Sequence, residues 1–327
     1  MVIQNLIERT ADPSQTKPNR TAVIICTHTD DRWRLLEYAV RSAQRELPHE
    51  VVLVVDHNDD LLARAKSAFS HPEAGVPVVV VANLGPRGLS GARNQGMQAT
   101  GADIVAFLDD DAEARPGWLV GLVDPFSDPD VISVGGRAEA DCPDRFPSWW
   151  PHEFDWVVGC SWVGLPEVLS PIRNVIGCSM AFRREPVLEA GGFQTQLGRQ
   201  GNNASGGEET ELCIRLRRTL PSCEVLFEPR AVVLHHIDTS RLGLRYFTRR
   251  CFAEGRAKAS IIRMEGTSVM GPESSFIGSV VRRAFLSGFR SLFRGDLPGV
   301  AQASAVIGGL GASACGFVWE TMSRARR

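Results

Sequence analysis

Ile104-Val105-Ala106-Phe107-Leu108 runs directly into Asp109-Asp110-Asp111. The run is β-branched and aromatic, about as long as a buried strand, and polar residues bound it. A buried parallel strand ending in clustered carboxylates puts negative charge at the carboxyl edge of a sheet, where open α/β sheets bind ligands. Three carboxylates at one strand end repel each other unless a cation sits between them. Hard oxygen donors favour Mg2+ or Mn2+, and Mg2+ usually arrives with substrate phosphates. A solvated acidic turn is the plainer alternative, but the strand places the acids too regularly for that.

Upstream, three more apolar runs read as strands: Thr21–Thr27 (TAVIICT), Glu50–Val55 (EVVLVV) and Val78–Ala82. Arg34–Glu46 has apolar residues at 35, 36, 39, 40 and 43, a helical spacing, and Leu61–Ser70 reads as a second helix. The Gly-rich loop Asn83-Leu84-Gly85-Pro86-Arg87-Gly88-Leu89-Ser90-Gly91 opens a helix near Ala92–Ala99. The βαβαβαβ order predicts an α/β fold with a mostly parallel sheet flanked by helices.

Downstream the pattern loosens. Val131–Val134 and Ile176–Arg183 are strand-like, Gly207–Arg218 is a short amphipathic helix with acids at its start, and Val225–Phe227 and Ala231–Leu234 are short strands ending at His235-His236. Residues 141–171 hold Trp149, Trp150, Trp156 and Trp162 among prolines and glycines. That is the composition of a long structured loop, whose rings serve either as a platform for sugar faces or as a small local core. From Leu242 onward helices dominate. Arg282, Arg283, Arg290 and Arg294 alternate with Phe285, Leu286, Phe289, Leu292 and Phe293 as in a basic amphipathic helix on a membrane surface. The 21-residue stretch Gly299–Trp319 carries no charge and is long enough to span a bilayer. Its Gly, Ala and Ser content favours a packed or interfacial helix.

The 327 residues are 43% hydrophobic and 23% charged, an ordinary globular composition. The net charge of -2 conceals an asymmetry: Arg241–Arg327 carries 14 Lys+Arg against 5 Asp+Glu. A basic tail on an acidic body suggests an anionic partner, and charge alone leaves a phospholipid surface, a lipid phosphate and nucleic acid open. A solvated helical face would give the same charge pattern. The eight cysteines form no CxxC pair, which argues against a thiolate zinc site, and several sit in apolar runs as small hydrophobes, which fits a reducing compartment. The N-terminus lacks the basic flank and apolar core of a secretory signal.

In a parallel sheet the Asp56 cluster and Asp109–Asp111 share one edge. The helix after the Gly-rich loop offers its N-terminus to phosphate oxygens. His235 or His236 can add a nitrogen ligand, and Glu208 or Glu209, at a helix start, can act as general base.

These residues reach a known family. The chain resembles the family 2 glycosyltransferases of the GT-A fold over roughly Thr21–Arg256, in AVIICTHTDDR, VVLVVDHND, GLSGARNQG, FLDDDAEARPGWL, the GGF at 191–193, GEETELCIR and AVVLHH. The resemblance implies a GT-A-like domain over 21–240, with a nucleotide half at about 21–115 and an acceptor half at about 116–240. A loose segment (1–20) would precede it and a basic helical extension (241–327) follow it. The implied reaction is inverting transfer of a sugar from a nucleotide-diphosphate donor, with Mg2+ or Mn2+, to an acceptor hydroxyl. Thr27, His28, Asp56, Arg93, Asp109 and Asp110 are implied at the donor, and Asp111, Asp109 and His235 at the metal. Glu209 stands where the family usually has an Asp base, with Glu208 as the alternate. His57 departs from the usual Asp or Asn. Trp149, Trp150, Trp156 and Trp162 are the acceptor-side candidates.

Together with the basic tail and the Trp-rich loop, this reading expects a glycan or lipid-linked acceptor of the cell envelope. It expects an anionic membrane surface as a further partner and no nucleic acid, with a cytoplasmic location on the inner face of the cell membrane. The competing readings are a sugar-nucleotide-forming nucleotidyltransferase and a non-catalytic nucleotide-sugar-binding protein. The former usually carries a Gly-rich basic loop after the first strand, where this chain has THTDDRW.

Overall fold

The computed structural model describes residues 19–71, 75–198, 206–266 and 295–324. The basic amphipathic stretch at 282–294 and most of the N-terminal segment lie outside the described residues. Strands β1 (Thr21–Thr27), β2 (Glu50–Val55), β3 (Val78–Ala82) and β4 (Ile104–Asp109) alternate with helices α1 (Trp33–Arg45), α2 (Asp59–Ala68) and α3 (Leu89–Gln98). These four strands pair in parallel in the order β3-β2-β1-β4. The parallel order follows from the helical crossovers, which return the chain to the same sheet end each time.

Beyond β4 the sheet is mixed. The chain continues through β5 (Ala112–Ala114), α4 (Trp118–Val123), β6 (Val131–Asp141), β7 (Ser170–Pro171) and β8 (Ser179–Arg183). It then forms α5 (Arg184–Glu189), α6 (Glu208–Thr219) and β9 (Glu224–His236). Here β8 is antiparallel to both β4 and β6, β6 is parallel to β9, and β5 and β7 are antiparallel to β9. The parallel character thus belongs to the first half of the chain. The two short strands expected at 225–234 are one continuous strand, with a register shift where Gly136–Arg137 of β6 meets it. The extra residues of that shift break the apolar pattern, so the sequence reads as two pieces.

Side-chain alternation divides the core between the two sheet faces. Ile104, Ala106 and Leu108 pack with Leu36, Ala39, Val40 and Ala43 of α1, at helical spacing. Val105 and Phe107 pack on the other face with Ala92 and Met97 of α3 and Leu212 and Leu216 of α6. At Gly96 of α3 a Cβ would sit 3.2 Å from Val54 and closer still to Ile24, so glycine brings that helix hard onto the sheet.

A third core joins Trp150, Phe154, Val157 and Val158 to Phe247 and Cys251 of α7 (Leu244–Glu265) and Val306 of α8 (Leu297–Arg324). Helices α7 and α8 run parallel. Phe247 lies beside Gly309, Ser313 Oγ donates to the Cys251 carbonyl at 2.9 Å, and Arg256 pairs with Glu320 at 3.0 Å. Gly255 and Gly316 have no room for a Cβ against the facing backbone. Residues Leu297–Ser323 form a helix long and apolar enough to cross a membrane by length and composition, and 28% of its apolar window is buried. Its outer face exposes Ile307, Val318, Trp319 and Met322.

Candidate active site

The acids stand where β4 ends, next to the end of β1. Cys26 pairs with Asp109 in the parallel register, so Thr27 reaches the next residue and its hydroxyl donates to Asp110 Oδ2 at 2.7 Å. The antiparallel pairing of β5 with β9 sets Ala112 opposite His235. That register brings His235 Nε2 within 3.2 Å of Asp111 Oδ1, with both side chains buried. His236, one residue on, points the other way, 3.6 Å from Asp141. The two-residue period of a strand therefore separates the two histidines that the sequence left as alternatives.

Carboxylate oxygens of Asp109 and Asp111 and a ring nitrogen of His235 lie within 4.8 Å of one another. Two hard oxygens and one imidazole nitrogen fit a divalent cation of the Mg2+ or Mn2+ class, with the nitrogen tilting the set towards Mn2+. The imidazole is held from behind: Nδ1 faces Cys160 Sγ at 3.7 Å. At Gly159 the backbone is left-handed and a Cβ would fall 2.8 Å from the His235 ring. Such support fixes a ligand ring's orientation.

Positive charge surrounds the same acids. Arg32, from the loop after β1, reaches Asp110 at 3.0 Å and Asp111 at 2.5 Å, and Arg241 lies 3.5 Å from Asp111. Burial opposes ionisation of Asp111, but His235, Arg32 and Arg241 together hold its carboxyl far below the usual range. The reciprocal pull raises His235, against its burial. Asp110 moves the other way: burial lifts its pKa more than Arg32 lowers it, and the Asp111 charge adds to the rise. Arg32 closes the AVIICTHTDDR piece, and its sequence position alone does not mark it as a partner of the acids. Arg241 and Cys160 gave no sequence signal, because only tertiary contact brings them here.

Arg93 of α3 links the acids to α6. Its side chain is only 2% exposed, donates to Glu208 Oε1 at 2.8 Å and to the Gly177 carbonyl at 2.9 Å, and lies 3.6 Å from Asp109. Burial works against its charge, but Glu208 and Asp109 more than compensate and raise its pKa. Helix α6 begins after Gly207, which is left-handed at φ 94°, so Glu208 and Glu209 stand in its first turn. The second carboxylate oxygens of both, Glu208 Oε2 and Glu209 Oε2, are buried without a hydrogen-bond partner among the described residues. Burial, then the neighbouring Glu208 charge, push Glu209 up to about 8.

Asp56, at the end of β2, is bound on both oxygens. Asn83 donates to Oδ1 at 2.6 Å and the Gly88 N–H to Oδ2 at 2.9 Å, while His57 Nδ1 lies 2.8 Å from Oδ1. The carboxylate thus ties the Gly-rich loop and the start of α3 to the sheet edge. His57 takes a left-handed φ of 50° to make its turn. His28 is exposed beside this edge, and its carbonyl accepts from Asn58 at 3.2 Å.

The four tryptophans are not equivalent. Trp150 is 1% exposed, donates to Asp155 at 2.8 Å and packs edge-on to Phe247, so it has no face left for a sugar. Trp149 also stacks edge-on with Phe247. Trp156 is half-buried, and the Arg250 guanidinium lies 5.5 Å from its ring centre. Trp162 is half-buried in the loop that follows.

The model of "Glycosyl transferase family 2" matches residues 22–191. The glucosyl-dolichyl phosphate glucuronosyltransferase of Haloferax volcanii is 34% identical over 242 residues, 73% of this chain and 76% of that protein. The succinoglycan biosynthesis protein ExoM of Rhizobium meliloti is 25% identical over 258 residues, 75% of this chain and 77% of that protein. Among solved structures, the mannosyltransferase PcManGT of Pyrobaculum calidifontis, in complex with GDP-Man and Mn2+, superposes with a TM-score of 0.60 at 18% identity, over 93% of this chain and 88% of that one. This last likeness is one of fold. With an Asp-x-Asp pair and a histidine gathered at the carboxyl edge of a GT-A sheet, and with these matches in sequence, the chain belongs to glycosyl transferase family 2 and is a glycosyltransferase.

Proposed function

We propose that this enzyme moves a sugar, with inversion, from a nucleoside-diphosphate sugar to a hydroxyl of a lipid-phosphate-linked sugar at a membrane surface. The observation that carries the reading is the buried, unpartnered Glu209 oxygen. It stands in the helix turn that also holds Glu208, which is joined through Arg93 to Asp109. A base with a raised pKa is thereby set beside the donor's acids.

Asp56 and the Gly-rich loop hold the nucleoside end in this reading, and Thr27 fixes Asp110 next to it. Asp109, Asp111 and His235 would hold the divalent cation, which when bound neutralises charge developing on the diphosphate. Arg32 and Arg241 lie against the same acids and add fixed positive charge there. Glu209 takes the proton from the acceptor hydroxyl as that oxygen bonds to the anomeric carbon. The bond from that carbon to the diphosphate breaks, and its electron pair leaves with the diphosphate oxygen. One displacement inverts the centre, so no nucleophilic side chain is required.

The relative from Haloferax volcanii, by its name, acts on a glucosyl-dolichyl phosphate, which supports the lipid-linked acceptor. In this reading the enzyme sits on the cytoplasmic, inner face of the membrane, and the long apolar helix α8 supports the membrane-surface location. Its outer α8 face shows Trp319 at 61% exposure and no charge between Gly299 and Trp319, while Arg245 and Arg249 are exposed on the neighbouring α7. An exposed apolar helix face, with exposed arginines on the helix packed beside it, fits an anionic bilayer.

The direct test is a panel of sugar nucleotides, UDP-glucuronic acid and GDP-mannose among them, with Mn2+ and a short-chain isoprenyl phosphoglucose. Formation of a β-configured product from an α-configured donor, read by HPLC and NMR, is expected. Transfer only to uncharged soluble sugars, or a retained configuration, would overturn the proposal.

A further inference from the structure

Helix α7 brings a second charged group to the acceptor side of α6. Arg250 and Glu254 lie one turn apart on α7. Arg250 donates to Glu254 Oε2 at 3.1 Å, and its guanidinium lies over Trp156, 5.5 Å from the ring centre. A Cβ on Gly206 would fall 3.1 Å from an Arg250 Nη, so the guanidinium rests against the backbone just ahead of Glu208 and Glu209. Its Nε is buried and has no partner among the described residues.

Lys258 approaches the other Glu254 oxygen at 3.9 Å, and Arg173 also lowers the Glu254 pKa, together with Arg250, in spite of burial. Glu254 is thus held ionised beside Arg250. Among the described residues no ion pair joins Arg250 to Asp109, Asp110 or Asp111, so the donor's diphosphate site does not account for it.

Resting on the acceptor reading above, we propose that Arg250 is an anion-binding residue for the acceptor. Its guanidinium takes the phosphate that joins the acceptor sugar to the lipid, while the sugar ring lies along Trp156 with a hydroxyl at Glu209. A guanidinium offers paired N–H donors that match phosphate oxygens, and stacking on an aromatic face pre-orients them. Glu254 is the internal anion that the phosphate displaces or shares. The next lipid carbons would leave along α7, which also carries the exposed Arg245 and Arg249. Selection of a phosphate-bearing acceptor over a neutral glycan would then reside in an element outside the nucleotide half.

Isothermal titration on the full chain, with Mn2+ and UDP bound, tests this. The probes are citronellyl phosphoglucose, inorganic phosphate and octyl glucoside. Wild-type protein is expected to bind the phosphoglucose tightly, the glucoside weakly and inorganic phosphate weakly. Arg250→Met is expected to weaken phosphoglucose binding about ten- to hundredfold, the loss of one charge-assisted contact, with glucoside and UDP–Mn2+ affinities unchanged. Arg250→Lys should recover part of the loss. Glu254→Gln, which releases Arg250 from its internal partner, should tighten the phosphoglucose.

Equal weakening of the charged and neutral sugars by Arg250→Met would mean a packing role and overturn the proposal. Inorganic phosphate binding as tightly as the phosphoglucose, with the same response to Arg250→Met, would show a free-phosphate site and also overturn it. Wild-type protein that binds octyl glucoside as well as the phosphoglucose would overturn the anion role and leave a sugar acceptor standing. Binding of neither sugar would overturn the acceptor class itself, and the anion role with it.

Discussion

Asp111 carries more of this site's charge contacts than any other acid of the cluster: His235, Arg32 and Arg241 all face it. Asp111→Ala is expected to lower turnover about a hundred- to a thousandfold, the cost of losing one preorganised electrostatic element. Mn2+ affinity, read by electron paramagnetic resonance, should fall in parallel while the circular dichroism spectrum stays unchanged. Glu209 makes a separate prediction. Its carboxyl is pushed up to about 8 by burial and by Glu208, and the base must be ionised to accept a proton. The kcat/KM profile should therefore climb with pH and level off above about 8. Glu209→Gln should bind UDP–Mn2+ normally and transfer about a hundred- to ten-thousandfold more slowly. A wild-type profile flat from pH 6 to 9 would assign the base elsewhere. From sequence, the resemblance already put Glu209 in the place of the base, with Glu208 as the alternate. The structure adds that Glu208 is engaged by Arg93, a contact between residues 115 positions apart in sequence, which supports that reading.

At the scale of elements, the site depends on where helices begin and strands end. Arg93 fastens α3, the Gly177 loop and the first turn of α6, and it is buried with Glu208. Arg93→Met leaves Glu208 uncompensated in the interior and is expected to cost about 3–5 kcal/mol in urea unfolding. The variant Arg93→Met/Glu208→Gln should recover much of that stability and none of the activity. The α7–α8 pair is equally exacting, since Gly255 and Gly316 let the backbones touch. Gly316→Leu should push the helices apart and destabilise by about 1–3 kcal/mol, seen as a lower Tm. Strands β1, β2 and β3 were readable to the residue because each is a continuous apolar run. Strands β5 and β7 were not, because three and two residues are too few to show a period.

For the molecule as a whole, the two halves of the chain do different work. The parallel half presents acids and a helix N-terminus at one edge, and the mixed half returns β9 and α6 to that edge. The α8 face gives a whole-molecule prediction: the protein should float with phosphatidylglycerol vesicles more than with phosphatidylcholine vesicles. The variant Val318→Lys/Trp319→Glu should lose that flotation and keep its affinity for UDP–Mn2+. Equal recovery of both forms in the soluble fraction would reject the membrane-surface role. Local apolar periods and strand-end acids were enough to show an α/β fold with a cluster of acids at one sheet edge, because each of those signals lies within a few consecutive residues, and the order of the matching pieces carried the resemblance to a glycosyltransferase. Only the tertiary structure selected His235 over His236, brought Arg32, Arg241 and Cys160 to the acids, buried Trp150 and set Arg250 beside Trp156. Those outcomes depend on strand register and on helices packing across long stretches of chain, and neither is encoded in the spacing of neighbouring residues.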